Sequence, residues 1–320
     1  MTQTQDQSAG HRPPPELSEE QVVADLLWAI NSSWLVTGPS GWHPVQLPTL
    51  SANEIAPRQL LAHVQQHASW RVGRYFEALI LFYLSRIRQV TLVGDGIQVF
   101  GPDRQTRGEL DFVFRSDNGS LIHWETAVKF YLCQPDAVHN GSHYPGPDPQ
   151  DTLESKLNRL TTHQLTLPWE YTHADGRLEP LRHRHAIVKG RIFYPAGYVS
   201  ARKPPLSNGR GRPSTKLQTQ FEIHSQHCEG TWMRCSDAVT ELSAPANSCE
   251  YFLMAKPNWL APSVAVNGLD PKAVGDVLKQ SFSESRSPVM LTELRPATSD
   301  RRQIIVVHDG WPGPKYGNQR

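Results

Sequence analysis

The sequence has no apolar run approaching the roughly 20 residues that a membrane-spanning helix needs, so no membrane partner is expected. Residues 1–15 are polar throughout and lack the apolar stretch of a secretory leader. Cysteine is scarce: Cys133, Cys228, Cys235 and Cys249 are widely spread, with no C-x-x-C pair among them. That excludes a disulfide-framed scaffold and points to free thiols in a reducing, cytoplasmic setting. Net charge is scarce too, because 32 lysines and arginines against 31 aspartates and glutamates leave only +1. Overall charge therefore predicts no affinity for a polyanion, and any basic surface must be local. A glycine-rich phosphate loop, a serine nucleophile elbow and a dinucleotide fingerprint are all missing.

What is present is a chain of 320 residues, long enough for one large domain or two smaller ones. Nine tryptophans and 26 prolines describe a packed but loop-rich protein. Residues 1–15 read as disordered. Residues 16–69 read as a helical segment. Ser18 is a good N-cap, with Gln21 three residues on as in a capping box. Val22, Val23, Leu26, Leu27 and Ile30 form the apolar stripe, and a second helix is expected over 57–67.

Residues 70–199 read as helix, strand, strand, strand, helix, strand. The opening helix, 72–84, is apolar nearly all round and so expected to be buried, with Glu77 in its middle. A strand over 90–100 is bent or broken at Gly94-Asp95-Gly96. A later helix, 151 to about 167, puts Leu153, Leu157 and Leu160 on one stripe with Gln164 on the same side. Lys156, Arg159 and His163 share another face. A strand follows at 184–194. Residues 200–219 carry Arg202, Lys203, Arg210, Arg212 and Lys216 with no acid, a mobile basic loop that is either a linker or a clamp on nucleic acid. Residues 220–320 alternate short strands (221–224, 251–255, 289–294, 303–308) with helices (236–242, 271–281). This α+β extension either stands apart or lengthens the same sheet.

The chemistry concentrates in two runs, Gly108-Glu109-Leu110-Asp111-Phe112-Val113-Phe114 and Ile122-His123-Trp124-Glu125-Thr126-Ala127-Val128-Lys129-Phe130, joined through a turn containing Asn118-Gly119. Strand alternation puts Leu110, Phe112 and Phe114 on one face and Glu109, Asp111 and Val113 on the other. In the second run His123, Glu125, Ala127, Lys129 and Tyr131 share a face. A hairpin of the two then carries Asp111, Glu125 and Lys129 together, where they are costly to desolvate unless paired or bound to a metal. A solvated salt bridge is the plainer alternative, but the small Ala127 leaves a notch between Glu125 and Lys129. Glu77 is either an ion-pair partner of Arg74 or Arg71, or an acid aimed into a site.

A helix bearing Glu77, G-E-x-D at Gly108–Asp111, E-x-A-V-K at Glu125–Lys129 and a helix bearing Gln164 together resemble the PD-(D/E)XK nuclease superfamily. The two central runs are most similar to its Holliday-junction-resolvase-type branch, over a core of about residues 70–195. The chain as a whole resembles a bacterial family of unknown function placed in that superfamily. The resemblance implies an α/β (α+β) protein with a restriction-endonuclease-like αβββαβ core. Its mixed central sheet would be flanked by helices, with N-terminal helices and a C-terminal α+β extension. It implies hydrolysis of phosphodiesters in nucleic acid, DNA foremost, with Mg²⁺ or Mn²⁺. Asp111 and Glu125 would be metal ligands assisted by Glu77, Lys129 would act on the attacking water, Glu109 is a frequent neighbour of the aspartate, and Gln164 is the polar residue of the following helix. Related resolvases work as dimers, so a homodimer is the implied assembly. One departure stands out: the superfamily's lysine normally falls two residues after the glutamate, where this chain has Ala127. Lys129 lies about 6.6 Å further along the strand, with a stem long enough to reach back. The alternative is a degenerate nuclease fold that binds nucleic acid or plays a structural role, since fold does not fix function.

Lys156, Arg159 and His163 are candidates for gripping phosphates, or form a solvated helix face. His139 and His143 either approach a scissile phosphate or are solvated loop residues. The spacing of His224, His227, Cys228 and Cys235 fits no standard zinc pattern. Pro102-Asp103, Pro135-Asp136 and Pro147-Asp148 lie in loops and read as decoys for the superfamily's motif.

Overall fold

A computed structural model describes residues 17–44, 47–67, 71–198, 204–206, 220–244, 248–265 and 267–313. The expectations for residues 1–15 and for Arg202, Lys203, Arg210, Arg212 and Lys216 lie outside the described residues. Helix α1 (Glu19–Asn31) opens as its sequence predicts, with Ser18 Oγ accepting the Gln21 N–H at 3.1 Å. The reciprocal half of the capping box is not made. The Gln21 amide instead donates to Asp25 Oδ1 at 3.3 Å and accepts the Val264 N–H at 3.1 Å, tying α1 to a distant part of the chain. Short strand β1 (Val36–Thr37) precedes α2 (Pro57–His67) and α3 (Val72–Phe82).

Then come β2 (Thr91–Phe100), β3 (Thr106–Arg115), β4 (Leu121–Leu132) and α4 (Leu153–Thr162). A small hairpin of β5 (Glu170–Thr172) and β6 (Leu178–Pro180) leads into β7 (His183–Pro195). The remainder is β8 (Glu222–Ile223), β9 (Cys228–Arg234), α5 (Cys235–Leu242), β10 (Glu250–Met254), α6 (Pro271–Glu284), β11 (Val289–Arg295) and β12 (Asp300–Val307).

One mixed sheet of eight strands runs β10-β11-β12-β9-β7-β4-β3-β2. Its central strands β4, β7, β9 and β12 are mutually parallel, and antiparallel pairs close both sides. The expected helix, three strands, helix, strand order is observed, with the β5–β6 hairpin inserted. The C-terminal strands lengthen the same sheet rather than standing apart. They join it through β9, which the sequence pattern did not announce because Glu229, Gly230 and Arg234 interrupt its apolar run. Strand β2 is continuous but bent, with a register shift between Leu92 and Gly94.

Helices α1, α2 and α3 cover one sheet face, where Leu26, Leu60, Phe76 and Leu79 pack against Phe112, Trp124 and Ile187. Helix α4 covers the other, its Leu153, Leu157 and Leu160 resting on Tyr131, Ala186, Val188 and Ile192. On the first face Lys189 of β7 is only 2% exposed. Its Nζ donates to Ile30 O at 3.2 Å and to Ser32 O, and lies 4.2 Å from the Trp34 ring centroid. A cation at a helix C-terminus is favourable, yet burial still lowers the Lys189 pKa to about 8. Asp25 of α1 is fully buried and accepts from Tyr75 Oη and the Ala261 N–H, each at 2.8 Å. Burial raises its pKa to about 7.

Gly190 sits beside Lys189 with φ of +151°, and a Cβ there would drive into the Lys129 carbonyl of the neighbouring strand. Gly190→Ala is expected to destabilise the protein by about 3 kcal/mol or more, the range of severe overpacking. Urea unfolding measures this, and an unchanged midpoint would show that β4 and β7 can part at no cost.

Candidate functional site

The site begins where two strands separate. Strands β3 and β4 pair from Arg115↔Leu121 to Phe112↔Trp124 and no further. Beyond that point the Thr126 N–H would lack a ladder acceptor, and buried backbone donors are rarely left unpaired. Asp111 supplies the acceptor: its Oδ2 takes the Thr126 N–H at 2.7 Å and Thr126 Oγ1 at 3.0 Å. The split also corrects the alternation expected for β3. Leu110 packs with Val113, Leu121 and Leu167, while Phe112 and Phe114 face the α1–α3 side.

Glu125, 1% exposed, accepts the Gln164 Nε2–H on Oε1. Gln164 lies in a 3-10 turn, Gln164–Thr166, because α4 ends at Thr162 short of the expected boundary. The Gln164 Oε1 in turn accepts from Lys156 Nζ at 2.9 Å. Glu125 Oε2 is buried with no hydrogen-bond partner, and His123 Nε2 lies 3.5 Å from it. His123 is fully buried with neither ring nitrogen bonded. Burial first, and Arg184 next, lower its pKa to about 4, so it is neutral near pH 7. The sequence signal for His123 was its place two residues before Glu125 on the same face.

Glu77 makes the expected ion pair with Arg74 and also lines a cavity. Its Oε2 accepts from Arg74 Nη1 at 2.7 Å, and Arg74 Nη2 lies 3.5 Å from Glu109 Oε1. Yet Arg74, Glu77, Asp95, Glu109 and Asp111 line one cavity of about 110 Å³. Among the described residues no three histidines, cysteines or acids are placed to hold one metal ion together. The expected trio of Asp111, Glu125 and Glu77 is therefore not gathered as one ligand set, and Glu77 is paired with Arg74.

The acids feel one another. Burial, then Glu125, raises the Asp111 pKa to about 6. Burial raises Glu125 to about 7, with Lys156 opposing and Glu77 adding to the rise. Glu77 is also raised, by burial and then by Asp111, against the pull of Arg74.

Lys129 does not complete this group. Its Nζ is 2.5 Å from Asp151 Oδ2, at the approach to α4. Strand alternation fixed its face, but the nearest acid lies on another element. The cation beside the carboxyls is Lys156, which turns inward, while Arg159 and His163 stay exposed, so these three do not form one common outer face. Burial lowers the Lys156 pKa, and Glu125 and Asp111 partly restore it.

The remaining candidates are structural. His227 Nδ1 meets His224 O at 2.7 Å and its Nε2 meets Tyr194 Oη at 3.1 Å, which leaves no zinc site there. His143 Nδ1 meets Gln134 O at 2.8 Å, and His139 bridges Ser142, both closing the loop after β4.

These features define a mixed α/β protein with a buried glutamate and a half-buried aspartate at the gap of a splayed hairpin. The chain belongs to the family described as Domain of unknown function (DUF1853), which it matches over residues 18–307. No match was found among curated proteins or among solved structures. No helix among the described residues is long and apolar enough to cross a membrane.

The raised carboxyl pKa values carry a sign. Each acid contributes stability fully below its ordinary value, 3.8 for Asp111 and 4.5 for Glu125, and loses it as pH rises through about 6 and about 7. Without metal, Asp111→Asn and Glu125→Gln should each melt a few degrees above wild type near pH 8 (roughly the shift of one such interaction) and lose that advantage progressively as pH falls to about 4. Thermal melts across that range check it, and variants that track wild type at every pH would refute the electrostatic account.

Proposed function

We propose that the protein hydrolyses phosphodiester bonds of nucleic acid, DNA foremost, with Mg²⁺ or Mn²⁺ at Asp111 and Glu125. The observation that carries this reading is the bare, buried Oε2 of Glu125 beside Asp111. The donor set also fits, because Mg²⁺ takes hard oxygens, often through only one or two carboxylates, and keeps several waters. When bound, such an ion polarises a phosphoryl oxygen and makes bound water more acidic. The resemblance to the PD-(D/E)XK superfamily supports the same chemistry.

The chain's own residues then have distinct tasks. Gln164 fixes the rotamer of Glu125 and orients Lys156 through its two amide ends. Lys156 takes the part expected of Lys129, placing positive charge where an attacking hydroxide or phosphate oxygen develops negative charge. Arg159 and His163, exposed further along α4 and just past it, meet flanking phosphates. The cysteines are free, in keeping with work in a reducing cytoplasm, and a homodimer follows the resolvase analogy. A second reading, binding without hydrolysis, is favoured by one contact: Arg74 already ties Glu77 and Glu109 together.

A panel of labelled linear and branched DNAs incubated with Mn²⁺ tests this. Asp111→Asn and Lys156→Ala should each cut at least about a hundredfold more slowly than wild type, the scale of losing a charge-stabilising group. Lys129→Ala should stay within a few-fold. Binding in EDTA with no cutting of any probe would establish the second reading instead.

A further inference from the structure

A larger cavity, about 700 Å³, is walled by residues between Val72 and Asp151 and by residues between Lys256 and Pro288 of the C-terminal extension. Val128, Lys129 and Phe130 of β4 contribute from one side, and Lys256, Trp259 and Arg286 from the C-terminal extension. Two elements connect it to the acids. Helix α3 begins at Val72 in the large cavity and carries Glu77 into the small one. Strand β4 runs from Glu125 to Lys129, and Lys129 is near enough to Lys156 to weaken its hold on a proton.

The lining has two chemistries. Val128, Phe130 and Trp259 make an apolar floor. Lys256 and Arg286 are exposed at the rim, the Lys256 Nζ lying 4.7 Å from the Trp259 ring centroid. Asp148 and Asp151 also line the cavity, Asp151 bonded to Lys129, while Asp148 and Arg286 have polar or ionic contacts of their own. The β4 edge is the third feature. On the side where β3 has left, Asp111 takes the Thr126 N–H and Pro145 O takes the Leu132 N–H at 2.8 Å. Alternation puts the main-chain groups of Val128 and Phe130 on the same edge, and no strand among the described residues pairs with them there.

We propose that this cavity holds a single-stranded segment of nucleic acid leading to the carboxylate pair. Its phosphates would lie on Lys256 and Arg286 and its bases on the apolar floor. Cationic grooves with apolar or aromatic faces bind single strands in this manner. A cavity of this size encloses a ligand of drug-like bulk, one or two nucleotides, and not a duplex. The assignment rests on the hydrolysis reading for where the strand leads, whereas binding is tested apart from cleavage.

Fluorescence anisotropy in EDTA compares a labelled single-stranded DNA of about twelve nucleotides with the blunt duplex of the same sequence. The single strand should bind at least about tenfold more tightly than the duplex. Lys256→Glu with Arg286→Glu should cut single-strand affinity at least about tenfold. Lys256→Met with Arg286→Met keeps the stems and serves if the reversal lowers the melting temperature. Equal affinity for strand and duplex, or a double variant that binds the strand like wild type, overturns the proposal even if DNA is cut. A strand that is held through Lys256 and Arg286 but never cut in Mn²⁺ upholds the cavity and overturns the hydrolysis reading.

Discussion

The architecture of the site turns on one hydrogen bond, from the Thr126 N–H to a side-chain oxygen of Asp111 where a strand carbonyl would ordinarily stand. Because a carboxylate can satisfy that donor, β3 is free to leave β4 after Phe112 without stranding a buried backbone group. The candidate site residues Asp111, Glu125 and Gln164 lie around that departure. The small acid-lined cavity takes in Asp111 and Glu109 of β3, the larger cavity takes in Val128 to Phe130 of β4, and α3 contributes to both. The same bond anchors Asp111 beside Glu125, whose charge adds to desolvation in raising the proton affinity of Asp111. Such a pair is poorly accommodated by the protein alone, and a cation between them would remove the conflict.

The exchange of lysines follows from similar reasoning. A side chain on a strand can reach only what its face and its neighbours present. Lys129 meets Asp151 at the approach to α4 before it meets the pair four residues upstream. Lys156 approaches from the helix instead, steadied by Gln164, which binds both it and Glu125. The small Ala127 at the customary lysine position is buried in the same layer.

Much of this was legible in the residues. The apolar wrap of α3 gave a buried helix, period-two alternation put His123 and Glu125 on one face of β4, and the succession of patterns gave the core topology. What alternation cannot report is where pairing stops, so Leu110 was placed on the wrong side. Residue spacing names a face but not the nearest partner, so Lys129 and Lys156 were assigned each other's surroundings. The end of α4 depends on packing rather than propensity, which moved Gln164 into a separate turn while keeping it on the glutamate. His123 was read as one more residue on the acid face, because nothing local distinguishes a buried imidazole from a solvated one.

The buried Lys189 bears on how the chain can be divided. Its ammonium is solvated by main-chain oxygens at the end of α1 and by the Trp34 ring, and α1 in turn grips Ala261 and Val264 through Asp25 and Gln21. The first helix thus stands in for water around a charge in the middle of the sheet. A fragment trimmed to residues 70–199 alone would inherit that charge without its hydration shell, so the segment borrows its solvent from the residues that precede it.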